Sequence, residues 1–416
     1  MTISKRDFLR GAAGLTAGAA LIPSAHASSL QEDDLDLTKN AVPISGEERL
    51  ARLAKVQRLM REQNVGMLVI EPGASMTYFS GLRWWRSERA TLLLIPVEGE
   101  VGIVTPFFEE PSVQETVGVP ASVRTWHENE DPFAVVRSYA EDWGVHESKI
   151  GIDETARFFV SHGVRTALSS ATIVPGAPLI RGCRMIKSDA ELALMQTATD
   201  VTIAAYRDLF ERIEVGMTQG EVSALMSERT RLRGGRVQFS IALANEASAY
   251  PHGTDQPQTV RDGGIVLMDC GCSVHDYKSD VSRTFVLGEP TRRQQEVWDT
   301  VKRGQELAYE AAVVGAEAGS VDRRVRSYYE SQGWGPRYQT PGLSHRLGHG
   351  IGMDGHETIN LVENETTKLA PGMCFSNEPG LYSFGEFGVR LEDCFVVTED
   401  GPKPFSPFQP SITQPV

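Results

Sequence analysis

Ile265-Val266-Leu267-Met268-Asp269 is an apolar run that ends in a carboxylate. A second carboxylate, Asp280, follows 11 residues later and precedes another strand-like run, Val281-Ser282-Arg283-Thr284-Phe285. A tight connection between the two runs predicts antiparallel neighbouring strands, which would bring Asp269 and Asp280 together. A carboxylate at the end of an apolar strand is costly to bury unless it is paired or bound to a metal ion. This stretch therefore predicts a site with paired carboxylates on a β-sheet.

The same arrangement recurs nearer the C-terminus with glutamates. Two runs end in carboxylates, Phe375-Ser376-Asn377-Glu378 and Val389-Arg390-Leu391-Glu392, and a glycine-flanked histidine precedes them in Gly348-His349-Gly350. Clustered carboxylates would repel one another, whereas two divalent cations would neutralise them and a neutral histidine would complete the ligand set. Such ligands suit Mn²⁺, Zn²⁺, Fe²⁺ or Co²⁺. Each residue alone is equally well explained as a turn carboxylate or a surface histidine, so the metal site is predicted from the set.

The order of predicted elements divides the chain near residues 175–187. Helices are predicted over 46–64, 131–143, 154–169, 188–214, from 218, 292–316 and 322–332, and strands over 66–71, 90–97, 101–106, 237–243, 265–269, 281–287, 374–378 and 388–397. Alternation in the first half predicts an α/β domain over residues 46–175, ended by Pro175-Gly176-Ala177-Pro178. In residues 185–416, two helices followed by strands occur twice, which predicts an α+β domain with an internal pseudo-twofold repeat.

These blocks resemble, in order, the pita-bread metallopeptidases of family M24, the group of prolidase, aminopeptidase P, methionine aminopeptidase and creatinase. The matching blocks are Met185-Ile186-Lys187-Ser188-Asp189-Ala190-Glu191, Met268-Asp269-Cys270-Gly271, Tyr277-Lys278-Ser279-Asp280-Val281-Ser282-Arg283-Thr284-Phe285, Gly348-His349-Gly350-Ile351-Gly352, His356-Glu357, Asn377-Glu378-Pro379-Gly380 and Arg390-Leu391-Glu392-Asp393. Residues 46–175 resemble the N-terminal domain of the creatinase/prolidase/aminopeptidase P branch, which methionine aminopeptidases lack. The resemblance implies an α/β creatinase-like N-terminal domain followed by an α+β pita-bread catalytic domain.

The resemblance also implies a role for each predicted ligand. Asp269 corresponds to a ligand of one metal ion, and Asp280 and Glu392 correspond to carboxylates that bridge two. His349 and Glu378 correspond to ligands of the second ion. In such a site the bridging water becomes a hydroxide nucleophile near neutral pH, and Glu378 is expected to accept and shuttle the proton.

Four further residues are candidates for roles around the ligands. The resemblance implies that His252 hydrogen-bonds the substrate near the scissile bond and that His356 stabilises the tetrahedral intermediate. His345 is expected either to bind the far end of the substrate or to support the site structurally. Arg390 lies two residues before Glu392, on the same strand face, and is expected to orient a ligand or to bind a substrate carboxylate.

Adjacent tryptophans, Trp84 and Trp85, are unusual in the N-terminal domain. They are interpreted either as ordinary aromatics or as residues that close the active site of a neighbouring subunit, since the resemblance implies a homodimer. The sequence departs from the family at Cys270, where Thr or Ser is usual, and at Ser282, where Thr is frequent. Both substitutions leave the predicted ligands in place.

The predicted function is hydrolysis of the Xaa-Pro bond of dipeptides or short peptides by two divalent metal ions, with Mn²⁺ favoured. The alternatives are a small-molecule amidase or amidinohydrolase, such as ectoine hydrolase or creatinase, a lyase of the dimethylsulfoniopropionate-cleaving type, and an inactive peptide-binding module.

A net charge of −14 argues against nucleic acid or an anionic membrane as partner. The chain's 5 cysteines exclude a disulfide scaffold, and Cys270 and Cys272 are predicted to be small buried thiols.

The N-terminus is interpreted as an export signal over residues 1–27. Ser4-Lys5-Arg6-Asp7-Phe8-Leu9-Arg10 precedes a Gly- and Ala-rich run, and Ala25-His26-Ala27 has the small-residue pattern of a cleavage site. The first of these strings resembles a twin-arginine signal with Lys5 in place of the first arginine. We therefore expect a periplasmic protein exported by the Tat or the Sec route, with a disordered N-terminus or an uncleaved anchor as the alternative. Residues 28–45 are predicted to be a flexible leader.

Overall fold

The first part of the chain contains a six-stranded mixed sheet. The computed structural model describes residues 35–416, of which Asp36–Val416 form one unit. The elements are α1 Gly46–Gln63, β1 Val65–Ile70, α2 Ala74–Ser80, β2 Leu92–Pro96, β3 Val101–Pro106, α3 Glu110–Thr116, β4 Ala121–Trp126, α4 Pro132–Asp142, β5 Lys149–Ile152, α5 Phe158–Ala167, β6 Thr172–Pro175 and α6 Ala177–Arg184. The strand order is β4-β3-β2-β1-β5-β6. Strands β1, β2 and β3 are buried along their whole length, as their continuous apolar runs predict.

Two helices followed by a sheet occur twice in the remainder. The elements are α7 Asp189–Phe210, α8 Gln219–Leu232, β7 Arg236–Ala244, β8 Ile265–Val274, β9 Tyr277–Lys278, β10 Val281–Val286, α9 Arg292–Ala311, α10 Ala318–Ser331, β11 Gly348–Gly350, β12 Glu357–Leu361, β13 Cys374–Asn377, β14 Gly380–Tyr382, β15 Gly388–Arg390, β16 Asp393–Thr398 and β17 Gly401–Pro404. The first sheet has the order β10-β8-β7, with β9 paired to β8, and the second has the order β12-β11-β13-β16-β17. The predicted α+β domain with an internal repeat is confirmed.

Capping residues explain where the long helices begin. Ser188 and Thr218 each form a reciprocal capping box, with Glu191 and Glu221 respectively. Helix α1 begins after Ser45, whose side chain accepts a hydrogen bond from the Glu48 amide. These caps fix the N-termini of α1, of α7, which packs on β8, and of α8, which packs on β7.

Two details differ from the sequence expectations. The segment 175–178 was expected to break regular structure, but α6 begins at Ala177 because Pro178 lies in its first turn, where a missing amide costs nothing. The strand expected over 388–397 is divided into β15 and β16, and Glu392 lies in the gap between them. Because of this interruption, Glu392 is not a residue of either strand.

Residues 36–45, expected to belong to a flexible leader, make defined contacts. The Leu37 amide donates to the Arg233 carbonyl over 3.1 Å, and Asp36 Oδ1 accepts from the Thr38 amide over 2.7 Å. Ile44 is 7% exposed and belongs to a hydrophobic cluster that residues of both domains share. The expected export signal over 1–27 and the start of the leader lie outside the described residues.

A buried polar network joins the two domains. Arg52 of α1 donates to the Tyr277 hydroxyl over 3.0 Å, and this hydroxyl donates to Glu191 of α7 over 2.8 Å. The network holds the N-terminal domain beside the sheets of the second domain.

The five cysteines are free and buried, as predicted for Cys270 and Cys272. Among the helices of residues 35–416, none is both long enough and apolar enough to cross a membrane.

Candidate metal centre

The predicted pairing of the aspartate strands is present. Strands β8 and β10 are antiparallel, with Asp269 opposite Ser282 and Cys270 opposite Val281, which places Asp280 just beyond the paired segment. Ligand oxygens of Asp269, Asp280 and Glu392 all lie within 4.8 Å of one another. The two halves of the repeat therefore contribute carboxylates to one place.

The second sheet supplies the remaining two predicted ligands. His349 lies in the middle of β11, and Glu378 directly follows β13. Ligand atoms of His349, Glu378 and Glu392 lie within 4.8 Å of one another, so Glu392 is shared by both groups. His349 Nε2 is 3.3 Å from Glu378 Oε1 and 3.7 Å from Asp280 Oδ2. A third group combines Asp280 and His349 with His356.

The donor set fits divalent cations. Burial raises the pKa of Asp280 and of Glu392 well above the ordinary range and that of Glu378 to about 7, because neighbouring carboxylates add to the desolvation. Asp269 Oδ1 is buried and has no hydrogen-bond partner among residues 35–416. Burial lowers the pKa of His349 to about 3, so the ring is neutral. Its Nδ1 donates to the Gly350 carbonyl over 3.0 Å, which leaves the Nε2 lone pair facing the carboxylates.

Metal removal is expected to make stability depend on pH. Because the pKa of Glu378 is raised to about 7, the folded metal-free chain binds more protons than the unfolded chain between about pH 4.5 and 7. The free energy of unfolding is therefore expected to fall as pH rises through this window, by on the order of 3 kcal/mol. Urea unfolding of chelator-treated protein measures this. Glu378→Gln, which lacks the titration, should show a shallower slope, and a metal-free wild type whose stability rises with pH would contradict the expectation.

Arg390 is buried among the ligands and holds them in place. Its Nη2 donates to Asp269 Oδ2 over 2.6 Å, and its Nε donates to Ser282 Oγ over 2.9 Å. Ser282 Oγ in turn donates to Glu392 Oε2 over 2.6 Å. This geometry favours the ligand-orienting role for Arg390 over binding of a substrate carboxylate. Ser282 thus supplies the hydroxyl group that the frequent Thr would supply at this position.

Arg390→Met is expected to weaken metal binding by about 10- to 100-fold, because Asp269 and Ser282 would each lose their guanidinium partner. Calorimetric titration of the metal-free variant with Mn²⁺ measures the change. Arg293→Met serves as the control, since Arg293 pairs with Glu386 and both side chains are about half exposed. Wild-type metal affinity in Arg390→Met would refute the orienting role.

His345 has both ring nitrogens engaged. Its Nδ1 donates to the Arg346 carbonyl over 2.7 Å, and its Nε2 lies 2.8 Å from the Tyr382 hydroxyl. That hydroxyl also accepts from Arg390 Nη1 over 3.3 Å. The geometry favours structural support over substrate binding for His345. Sequence reasoning missed Tyr382, and its only signal is its place four residues after Glu378.

A cleft of about 1000 Å³ opens over the ligands. The five predicted ligands line it together with His252, His345, His356 and Arg390. The His356 ring lies 4.3 Å from the His349 ring, centroid to centroid. Phe239 and Ile241 of β7 add an apolar wall, and Ser75, Arg86 and Asp153 add a wall from the N-terminal domain. Sequence reasoning did not identify this second wall.

Trp84 and Trp85 stack on each other with ring centroids 4.8 Å apart, and Trp85 is 63% exposed. Neither is among the residues lining the cleft of its own chain, although the next residue, Arg86, is. Closure of a neighbouring subunit's site by these rings stays a prediction.

Comparisons with known proteins agree with this geometry. The model of metallopeptidase family M24 matches residues 193–399, and that of the creatinase/prolidase N-terminal domain matches residues 52–186. The chain is 30% identical over 366 residues to an Xaa-Pro dipeptidase of Lactobacillus helveticus, an alignment that covers 85% of this chain and 96% of that protein. The solved structure of dipeptidase PepE from Mycobacterium ulcerans matches with a TM-score of 0.82 at 28% identity, covering 89% of this chain and 99% of that one. A dipeptidase from Pyrococcus horikoshii OT3 matches with a TM-score of 0.79 at 30% identity, covering 87% and 99%. The chain belongs to metallopeptidase family M24, with the N-terminal domain of the creatinase/prolidase branch.

Proposed function

We propose that this protein hydrolyses the Xaa-Pro bond of dipeptides or short peptides with two divalent metal ions. The observation that carries the proposal is one cleft in which two donor groups share Glu392 and in which His252 and His356 also lie. The relative from Lactobacillus helveticus is an Xaa-Pro dipeptidase, which supports the same substrate class.

Five residues would hold the metal ions. Asp269, Asp280 and Glu392 form one donor group, and His349 and Glu378 join Glu392 in the other. Mn²⁺ is proposed because four carboxylates and one imidazole form a predominantly hard oxygen ligand set. When bound, such ions lower the pKa of a water molecule and polarise the substrate carbonyl.

The chain's own residues orient the substrate and move the proton. Glu378, whose Oε1 accepts a hydrogen bond from Ser376 Oγ over 3.3 Å, is proposed to take the proton of the attacking water and pass it to the leaving amine. His252 and His356 are proposed to donate hydrogen bonds to the substrate and to the oxyanion that develops from the carbonyl. An Xaa-Pro bond has no N–H, so selection must come from shape. We assign contact with the pyrrolidine ring to Phe239 and Ile241, two apolar residues of β7 that line the cleft.

A substrate panel tests this proposal. The metal-loaded protein would be assayed with Xaa-Pro dipeptides, Xaa-Pro tripeptides, matched Xaa-Ala dipeptides, creatine, ectoine and dimethylsulfoniopropionate. We expect turnover of Xaa-Pro substrates and a preference over Xaa-Ala. Hydrolysis of dipeptides without tripeptides would assign a dipeptidase. Inertness toward every peptide, with turnover of one of the other three compounds, would overturn the proposal.

Assembly and localisation complete the proposal. A homodimer is proposed, supported by the stacked tryptophans, of which Trp85 is 63% exposed, and sedimentation equilibrium tests it. Export to the periplasm is proposed on the motif around Lys5-Arg6 and on Ala25-His26-Ala27, and the N-terminal sequence of the native protein tests it. A native N-terminus at residue 28 is the expected result.

A further inference from the structure

A buried cluster of charges connects the link between the two domains to the loop that carries His356. We call it the linker clamp, formed by Arg184, Lys187 and Glu357. Arg184 ends α6 and Lys187 lies before α7, whereas Glu357 begins β12 directly after His356. Arg184 Nη2 is 2.6 Å from Glu357 Oε1, and Lys187 Nζ is 2.9 Å from Glu357 Oε2. Each carboxylate oxygen thus has its own cation.

The clamp is shielded from solvent. The side chains of Arg184, Lys187 and Glu357 are 10%, 3% and 7% exposed. Although burial opposes ionisation, Lys187 and Arg184 lower the pKa of Glu357 to about 2. Removing one partner from a buried ion pair leaves a charge without compensation. The three groups therefore form a rigid unit rather than a fluctuating surface pair.

The same carboxylate also fixes the loop before His356. Glu357 Oε1 accepts hydrogen bonds from the Met353 amide over 3.0 Å and from the Asp354 amide over 3.3 Å. A Cβ atom at Gly352 would lie 2.8 Å from this oxygen, so the backbone approaches it closely. The loop over residues 352–357 is therefore folded around the Glu357 carboxylate.

His356 has little else to hold it. In the described part of the chain its imidazole makes no hydrogen bond, and its ring contacts that of His349, at 4.3 Å between centroids. Its backbone neighbour Glu357 is the anchored residue. The position of the His356 ring over the cleft consequently depends on the loop, and the loop depends on the clamp.

We propose that Glu357 is a positioning residue for hydrolysis, which acts by holding His356 over the metal centre through Arg184 and Lys187 of the interdomain link. The inference rests on the proposed function for the role of His356. It ties catalysis to the junction of the domains, because both cations lie on the segment that joins them. A displacement of His356 by about 1 Å would suffice to slow the reaction strongly.

A double-mutant cycle tests the inference. Glu357→Gln, His356→Ala and the combined variant would be assayed with an Xaa-Pro dipeptide, with metal content measured for each. Glu357→Gln is expected to lower kcat by about 10- to 100-fold with KM and metal content nearly unchanged. In the His356→Ala background the same substitution should cost little more, because its effect passes through His356. Glu357→Asp, which keeps the charge, should recover part of the rate.

Lys187→Gln is a second variant that removes one cation and leaves the loop sequence intact, and it should lower kcat in the same way. Asp208→Asn is the matched control, since it breaks an Arg233–Asp208 pair of 2.7 Å that lies outside the residues lining the cleft. The proposal is overturned if Glu357→Gln keeps the wild-type kcat, or if it loses the same factor without His356.

A measurement without turnover separates this inference from the proposed function. In the Zn²⁺-loaded protein, the imidazole resonance of His356 is identified by its loss in His356→Ala. We expect it to shift in Glu357→Gln and Lys187→Gln and to stay in place in Asp208→Asn. An unshifted resonance rejects the clamp even if no peptide is cleaved. A wild type that is inert toward Xaa-Pro peptides but shows the shift rejects the proposed function alone.

Discussion

Asp280→Ala is expected to abolish metal binding and to lower kcat by at least about 10³-fold, since metal ions supply several kcal/mol of transition-state stabilisation. Asp280 is 5% exposed and contributes to donor groups drawn from both halves of the repeat. Its loss removes a carboxylate from two donor groups at once. Elemental analysis after desalting, together with steady-state hydrolysis of an Xaa-Pro dipeptide, measures both effects. Glu392→Ala, which removes the other shared carboxylate, is expected to behave in the same way.

Asp276→Asn is the control for this experiment. Asp276 lies in the same β8–β10 connection and pairs with Arg83 over 2.7 Å, outside the residues that line the cleft. Its left-handed backbone, with φ of 76°, tolerates Asn better than Ala. The control should keep wild-type metal content and kcat. Full metal content in Asp280→Ala would contradict the assigned ligand set.

Glu378→Gln is expected to lower kcat by about 10²- to 10⁴-fold, the range that a positioned general base contributes. Glutamine keeps the shape of the side chain and can still offer one oxygen, but it cannot accept the proton. Burial raises the pKa of Glu378 to about 7 in the metal-free chain, whereas bound cations would favour the ionised carboxylate, the form that can accept a proton. Single-turnover kinetics of the metal-loaded variant measure the loss at the chemical step.

Glu386→Gln is the matched control for Glu378→Gln. Glu386 is about half exposed, pairs with Arg293 and lies on the loop between β14 and β15. Removing its charge should leave the single-turnover rate unchanged. If Glu378→Gln retained metal and the wild-type rate, Glu378 would not be the proton acceptor.

The sequence brings the five proposed ligands into one set from local patterns together with the resemblance to family M24, and the structure places their ligand atoms close together. Asp269 ends the apolar run of β8 and Asp280 directly precedes β10, and the antiparallel pairing of these strands brings the two carboxylates together. Glycines flank His349 in the sequence, and in the structure Gly348 lies against the Ser376 carbonyl, where a Cβ would be 2.1 Å away. Family resemblance then supplied the order of the blocks.

Long-range contacts explain what the sequence did not reveal. The clamp joins Lys187 to Glu357 across 170 residues, and no local pattern pairs those charges. Tyr382 lies in β14, which pairs with β15, and its hydroxyl contacts both His345 and Arg390. Likewise, the N-terminal wall of the cleft depends on how two domains pack. Such features arise from tertiary packing, which the periodicity and propensity of a sequence do not predict.

Metal titration of the metal-free chain tests whether two metal ions are required for hydrolysis. Chelator-treated protein would be assayed with an Xaa-Pro dipeptide while Mn²⁺ is added in known increments. Five ligands in two groups that share Glu392 predict no turnover without metal and full activity at two equivalents per chain. Wild-type turnover by protein shown by elemental analysis to contain no metal would contradict the account.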